Sequence, residues 1–306
     1  MQKRFKILLA TDYSKASSIA EKYAIQLAKS TNSAIRIIHV YETPLIPTTL
    51  NQIDFYKALE EFKDSELIRL ENHCNAILKS LNLRKDDLNF ECVVREGNVT
   101  SQAMEEAIEW FADFIVAGTH GATGFRDVLF GTQTWGLIKE SIVPVLAIPK
   151  EAVFKEIKNI VFASEQRDGE IPAINFMVQF AKEFDAQLTV LHVADHFLSR
   201  EFEIEMFDNF IKDVNNKLSF ENLILKLVFH ENVIKGITEF CSKEKTDWLV
   251  VSYEKPSLLE KIVVQDFSTT KKISFQANIP VFCIPDHYNP QHMDVWNELE
   301  SEEINS

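Results

Sequence analysis

Glycines gather in one short part of this 306-residue chain. Five of its eight glycines lie between positions 118 and 136, directly after the apolar run 114–117. A glycine backbone lets N–H groups approach phosphate oxygens without a Cβ in the way, and it permits positive φ. Turn formation alone would also explain single glycines. The longer spacing, Gly118-x-x-Gly121 and then Gly131-Thr132 nine residues later, predicts a loop that binds a phosphate.

A helix is predicted to follow this loop, beginning near Thr132. At that position Thr132 would offer a hydroxyl and a helix N-terminal amide to an anion. Neither standard phosphate-binding loop is present: the sequence has no Gly-x-x-x-x-Gly-Lys-Ser/Thr, and the turn at residues 11–14 has no Gly-x-Gly-x-x-Gly. The P-loop NTPase and Rossmann dehydrogenase classes therefore lose their main support.

The elements that must position this loop occur twice in the chain. Residues 7–12 match residues 160–165 at an offset of 153, and the same offset carries His39 onto His192. Residues 113–116 match 247–250 at an offset of only 134. The second copy therefore lacks about twenty residues, and we assign the missing part to the polar, helix-like stretch around residues 53–81.

The pattern of each copy predicts strands that alternate with helices. The strands are continuously apolar, which is typical of a parallel sheet covered on both faces. We therefore predict an α/β fold with two tandem, open, parallel five-stranded sheets and helices on both faces. The predicted domains are residues 1–150 and 151–286, followed by an acidic tail at 287–306. The predicted strands are 5–11, 35–41, 89–95, 113–118 and 144–148, then 158–164, 187–193, 223–229, 247–252 and 280–284.

Composition and charge exclude several classes of function. The formal net charge of −14 argues against broad contact with nucleic acid or an anionic membrane, because both need a basic face. The four cysteines form no Cys-x-x-Cys pair, so we expect buried structural thiols and no metal site. No signal peptide or membrane-spanning run is apparent, and the cytoplasm is the expected location.

Three motifs in the first copy resemble the universal stress protein family. They are the apolar strand that ends in Asp12, the spacing from Gly118 to Gly131-Thr132, and the closing strand Pro144–Pro149. The resemblance covers residues 4–149 well and 157–285 more weakly. It implies the strand order 3-2-1-4-5 in each domain and, in nucleotide-binding members, a site for ATP accompanied by Mg²⁺.

The resemblance also implies roles for individual residues. Asp12 would lie at the base and ribose side of the pocket, and Val40 would line the adenine slot. The ribose and phosphates would be held by Gly118, Gly121, Gly131 and Thr132. Each position also has a simpler interpretation: Asp12 could cap the following helix. His39 and His192, close to strand ends, fit hydrogen-bonded core histidines better than catalysts.

The second copy departs from this pattern. Its equivalent loop, 252–270, contains no glycine, and Glu254 and Asp266 add negative charge where phosphates would lie. Pro256 also removes an amide donor. We expect that this half does not bind ATP in the usual way and that its role is structural. The resemblance implies that the two halves pair with each other, and the chain could further form a homodimer.

Three functions are compatible with the sequence. The first is a stress-response or regulatory protein that binds ATP, or a related adenine nucleotide, with slow or no hydrolysis. The second is a nucleotide-independent scaffold, since Ala122 and Gln133 depart from the family pattern near the glycines. The third is an enzyme that uses ATP. No general base or nucleophile is recognisable near the loop, so we expect a binding protein and no catalytic residues.

Overall fold

The computed structural model describes residues 5–42, 51–119, 132–167, 169–195, 197–253, 279–286 and 288. The chain divides into two compact units. The first consists mainly of residues up to Phe154, and the second mainly of residues from Lys155 onward. The predicted domain limits at residues 150 and 286 stay predictions. The predicted acidic tail lies outside the described residues, apart from Tyr288.

The apolar runs of the sequence become the strands of both halves. Each observed strand lies within two residues of its predicted limits. In the first half the strands are β1 (Lys6–Thr11), β2 (Ala34–Tyr41), β3 (Asn89–Glu96), β4 (Phe114–Gly118) and β5 (Val145–Ile148). In the second half they are β6 (Asn159–Ala163), β7 (Gln187–Ala194), β8 (Leu223–Phe229), β9 (Trp248–Tyr253) and β10 (Val281–Pro285).

Strand order is the same in the two halves. It runs β3-β2-β1-β4-β5 in the first half and β8-β7-β6-β9-β10 in the second, so each half has the order 3-2-1-4-5 in its own count. The pairs of β1 with β2 and β4, and of β6 with β7 and β9, are parallel. The predicted α/β class and the predicted strand order are both confirmed.

Helices connect the strands of each half. In the first half α1 (Lys15–Ser30) packs on β1 and β4 and contacts α2 (Gln52–Ser80), while α3 (Val99–Glu109) packs on β1 and β2 and contacts α4 (Thr132–Glu140). The second half contains α5 (Glu170–Phe184), α6 (Arg200–Lys217) and α7 (Val233–Lys243) among its described residues. No helix in the described part of the chain is long and apolar enough to span a bilayer.

Helix length accounts for only part of the difference between the copies. The helix α2 has 29 residues and its counterpart α6 has 18, so the second copy is 11 residues shorter there. The predicted shortening of about twenty residues therefore falls partly within this helix and partly in the segments that flank it. The segment between β9 and β10 lies mostly outside the described residues.

The central strands form the core of each half. Every residue of β5 and β9 is buried, and so are the first four residues of β4. A strand buried along its whole length has both faces covered, which explains why these runs are apolar without alternation. An aspartate precedes the strand in both copies: Asp113 accepts a hydrogen bond from the Lys6 amide at 2.8 Å, and Asp247 from the Asn159 amide at 2.9 Å. The internal repeat thus extends to hydrogen bonds at the strand starts.

Candidate functional site

Three of the predicted site residues lie at strand ends on one edge of the first sheet. Asp12 directly follows β1, Val40 is the penultimate residue of β2, and Gly118 is the last residue of β4. The strands β2, β1 and β4 are neighbours and run parallel, so their carboxyl ends lie side by side. In open α/β sheets this edge is where ligands bind. Gly121 and Gly131 lie outside the described residues, and Thr132 is the first residue of α4.

Asp12 shapes the turn between β1 and α1. Its Oδ1 atom accepts hydrogen bonds from the Ser14 amide at 2.9 Å and from the Ser17 hydroxyl. The residue that caps α1 is Ser14, whose hydroxyl accepts from the Ser17 amide at 3.1 Å. The alternative that Asp12 is the helix cap is therefore wrong. Partial burial raises the pKa of Asp12, but the hydrogen bonds from Ser17 and Ser14 outweigh it and the net shift is downward.

Gly118 allows β4 and α1 to approach closely. A Cβ atom at this position would lie 2.9 Å from the carbonyl oxygen of Ala16, which belongs to the helix backbone. The Thr134 hydroxyl donates a hydrogen bond to the Gly118 carbonyl at 2.7 Å and so fastens the first turn of α4 to the end of β4. The amino end of α4, where a helix attracts anions, is thereby placed beside the sheet edge.

Sequence reasoning missed an aromatic cluster beside Asp12. Tyr13 has a positive φ of 62°, and its ring lies 4.2 Å from the ring of His39 and 5.0 Å from that of His73, measured between centroids. The Arg69 guanidinium lies 4.7 Å from the same tyrosine ring. Because Arg69 and His73 belong to α2, the long polar helix reaches the edge of the sheet where Asp12 lies.

A buried carboxylate links this cluster to α1. Glu21 is only 1% exposed, accepts a hydrogen bond from the Thr11 hydroxyl, and lies 2.8 Å from Nε2 of His73. The hydrogen bond to Glu21 raises the pKa of His73. When His73 is protonated the two side chains form a salt bridge between α2 and α1, and removal of His73 would leave the Glu21 carboxylate buried without this partner. The two residues are 52 positions apart in the chain, so no local pattern in the sequence could reveal their contact.

The two histidines that the repeat brings into register make the same backbone contact. Nδ1 of His39 lies 2.9 Å from the Thr11 carbonyl oxygen, and Nδ1 of His192 lies 2.9 Å from the Ser164 carbonyl oxygen. A carbonyl oxygen only accepts, so Nδ1 carries the proton in both rings. Each histidine thus joins the ends of two neighbouring strands, as a hydrogen-bonded core histidine would.

No described residue forms a metal site of its own. Among the residues that the structure describes, no group of three or more histidine, cysteine, aspartate or glutamate side chains could hold an ion. Cys74, Cys241 and Cys283 are buried and Cys92 is half-buried, and all four are unbridged. Burial raises the pKa of Cys241 to about 11. These thiols fit the predicted structural role.

Comparison with known proteins identifies relatives of the first half. The model of the universal stress protein family matches residues 3–149. Universal stress protein MJ0577 of Methanocaldococcus jannaschii is 23% identical over 154 residues, which cover 48% of this chain and 95% of that protein. Universal stress protein MJ0531 of the same organism is 29% identical over 147 residues, 47% of this chain and 82% of that protein.

The fold similarity extends over nearly the whole chain. The crystal structure of a universal stress protein from Archaeoglobus fulgidus superposes with a TM-score of 0.63 at 17% identity, covering 92% of this chain and 98% of that one. At this identity the match shows a shared fold and no more. The match of the family model identifies residues 3–149, the first half of the chain, as a domain of the universal stress protein family.

Proposed function

We propose that the first half binds ATP or a related adenine nucleotide and that the chain acts as a stress-response regulator. The proposal rests on the position of Asp12, Val40 and Gly118 at one edge of the sheet. The hydrogen bond from Thr134 to the Gly118 carbonyl holds the amino end of α4 beside this edge. Adjacent strand ends and a helix N-terminus provide the two parts that a nucleotide needs, a slot for the base and a donor site for phosphates.

The proposed roles follow from the local chemistry. Asp12, with its lowered pKa, is ionised at neutral pH and can accept hydrogen bonds from ribose hydroxyls. Val40 is half-buried and offers an apolar wall to the base. The phosphates are assigned to Gly118, Gly121, Gly131 and Thr132 on the family spacing. Mg²⁺ would bind to the phosphates of the nucleotide, because this ion usually keeps several waters and few protein ligands.

The proposed output is a change of conformation or partner. We expect slow or no hydrolysis, since neither the sequence nor the described geometry supplies a base aimed at the phosphate side of the site. A structural role of the second half, its pairing with the first half, a homodimer and a cytoplasmic location stay predictions. Bound nucleotide would stabilise the first half by mass action.

Calorimetric titration of the full chain with ATP and Mg²⁺ tests the proposal. Asp12→Asn should weaken binding by about ten- to a hundredfold or somewhat more, because loss of a hydrogen bond to a charged group costs roughly 1.5–3 kcal/mol. The matched control is Glu165→Gln, at the equivalent position of the second half, which should leave the Kd for ATP unchanged. Gly121→Val should abolish binding with little loss of folding. If the parent chain binds neither ATP nor AMP at millimolar concentration, the scaffold hypothesis replaces this one.

A further inference from the structure

A cavity of about 240 Å³ lies in the second half, where the sequence predicted no nucleotide. It lies beside the carboxyl ends of β6 and β7 and also touches α6 and α7. Part of its wall is apolar and consists of Leu191, Val193, Val233 and Ile237. The cavity occupies the same edge of its sheet as the proposed nucleotide site does in the first half. The first half has an equivalent pair there, since Nε2 of His39 lies 3.7 Å from Glu66, but Arg69 also lies 3.5 Å from Glu66 and offsets its charge. Glu203 has no such arginine or lysine contact within the described residues.

The polar groups deep in the cavity are acceptors without a donor to match. Glu203 is only 7% exposed, and within the described residues its carboxylate has an ion-pair contact with His192 alone. The Oε2 atom of Glu203 lies 3.5 Å from Nε2 of His192. Because Nδ1 of His192 donates to the Ser164 carbonyl, Nε2 of a neutral ring has a lone pair that faces the carboxylate. A donor that bridges Nε2 and Oε2 would satisfy both atoms.

The rim of the cavity is acidic as well. Glu165 and Asp195 line it together with Glu203, and the described lining residues include no lysine or arginine. Arg167 lies 3.5 Å from Glu165 and offsets part of that charge, while Asp195 accepts the Phe197 amide at 2.9 Å. The remaining negative charge repels phosphates and attracts cations. An anionic nucleotide therefore does not fit this cavity.

We propose that the second half binds a small organic cation, with the ammonium or amidinium group between Glu203 and His192 and an apolar remainder against Val193, Val233 and Ile237. A cation of this type brings several N–H donors to a site composed of acceptors, and its charge pairs with a buried carboxylate. The site does not depend on nucleotide binding in the first half.

The test uses three probes of similar shape. The full chain is titrated with 2-phenylethylamine, 2-phenylethanol and 3-phenylpropionate, and binding is followed by calorimetry. The amine should bind at least tenfold more tightly than the alcohol, and the carboxylate should not bind. Equal binding of amine and alcohol, or no binding of the amine at millimolar concentration, would overturn the proposal. Adenosine that binds more tightly than the amine would also overturn it, in favour of a nucleoside site.

Variants locate the site. Glu203→Gln removes the charge at nearly constant volume and should weaken amine binding at least tenfold. Glu205→Gln is the matched control, because Glu205 lies on the exposed face of the same helix and should not change the Kd. Should Glu203→Gln disturb folding, Asp195→Asn at the exposed rim should still weaken binding severalfold. Unchanged amine binding in both Glu203→Gln and Asp195→Asn would refute the assignment. Asp12→Asn, in the first half, should leave amine binding intact even if it abolishes ATP binding.

Discussion

Replacing Gly118 by alanine tests why glycine stands at the end of β4. A Cβ atom built there lies 2.9 Å from the carbonyl oxygen and 3.0 Å from the carbonyl carbon of Ala16, whereas ordinary contacts begin at 3.4 Å. Both atoms belong to the backbone of α1, so no side chain can rotate away. The strand end or the helix must move by about 0.5 Å, which is the difference between the ordinary contact distance and the shorter of these distances.

The cost of this movement can be bounded. Overpacking a close contact typically destabilises a protein by about 1–3 kcal/mol. Alanine also lowers the conformational entropy of the unfolded chain, which offsets roughly 0.4–1 kcal/mol of this destabilisation. We therefore expect a net loss of about 1–2 kcal/mol in the free energy of unfolding of the first half. For a domain of roughly 150 residues this corresponds to a Tm lower by about 2–8 °C.

Differential scanning calorimetry of the full chain without nucleotide is the assay, because it resolves the two halves if they unfold in separate transitions. The control is Gly169→Ala, whose Cβ would lie at an ordinary 3.5 Å from the Asp286 carbonyl oxygen and should change Tm by less than about 2 °C. If Gly118→Ala melts within 1 °C of the parent, helix packing does not explain this glycine, and ligand approach alone remains as its explanation.

Two further substitutions probe the helices. His73→Ala should destabilise the first half by about 2 kcal/mol at pH 6, because the buried Glu21 would lose its charged partner. This loss is smaller than for a fully buried pair, since the His73 side chain is 22% exposed. The raised pKa of His73 means that this contribution is present at low pH and is lost as the pH rises through the folded-state value. In urea unfolding, the difference in free energy of unfolding between parent and variant should therefore become smaller from pH 6 to pH 9. A difference that stays constant would contradict this assignment. Gly236→Ala would place a Cβ 2.6 Å from Cγ1 of Val193 and 3.0 Å from Cβ of His230. It should lower the Tm of the second half by several degrees and weaken binding of the amine probe, and unchanged binding would contradict the proposed packing of the amine against Val193.

The fold could be predicted because each strand corresponds to a continuous run of mainly apolar residues in the sequence. The run before Gly118 predicted a strand at 113–118, and β4 occupies Phe114–Gly118. The repeat, with an offset of 153 at the start and 134 later in the copy, then transferred the assignments from one half to the other. The edge of the sheet followed from the topology, since parallel strands end together. The strand order that the family resemblance implies, with β1 beside β2, then places Asp12 and Val40 near each other.

Contacts made by α2 could not be predicted. Its sequence is polar, and it was interpreted mainly as the stretch that the second copy shortens. Only the packed structure shows that Arg69 and His73 reach Tyr13 and that Glu21 is buried beneath them. The cavity of the second half was missed for a different reason. Glycine spacing indicates phosphate binding, whereas this cavity is lined by acidic side chains that are far apart in the sequence, such as Glu165 and Glu203.

The histidine that joins two strand ends occurs in both halves, although only one half has the glycines. Each copy therefore keeps its sheet edge in register by an interaction that needs no ligand. Such a half can exchange the side chains around its pocket while its framework stays intact. The side chains around the two sheet edges can therefore differ while His39 and His192 keep the same contact in each half.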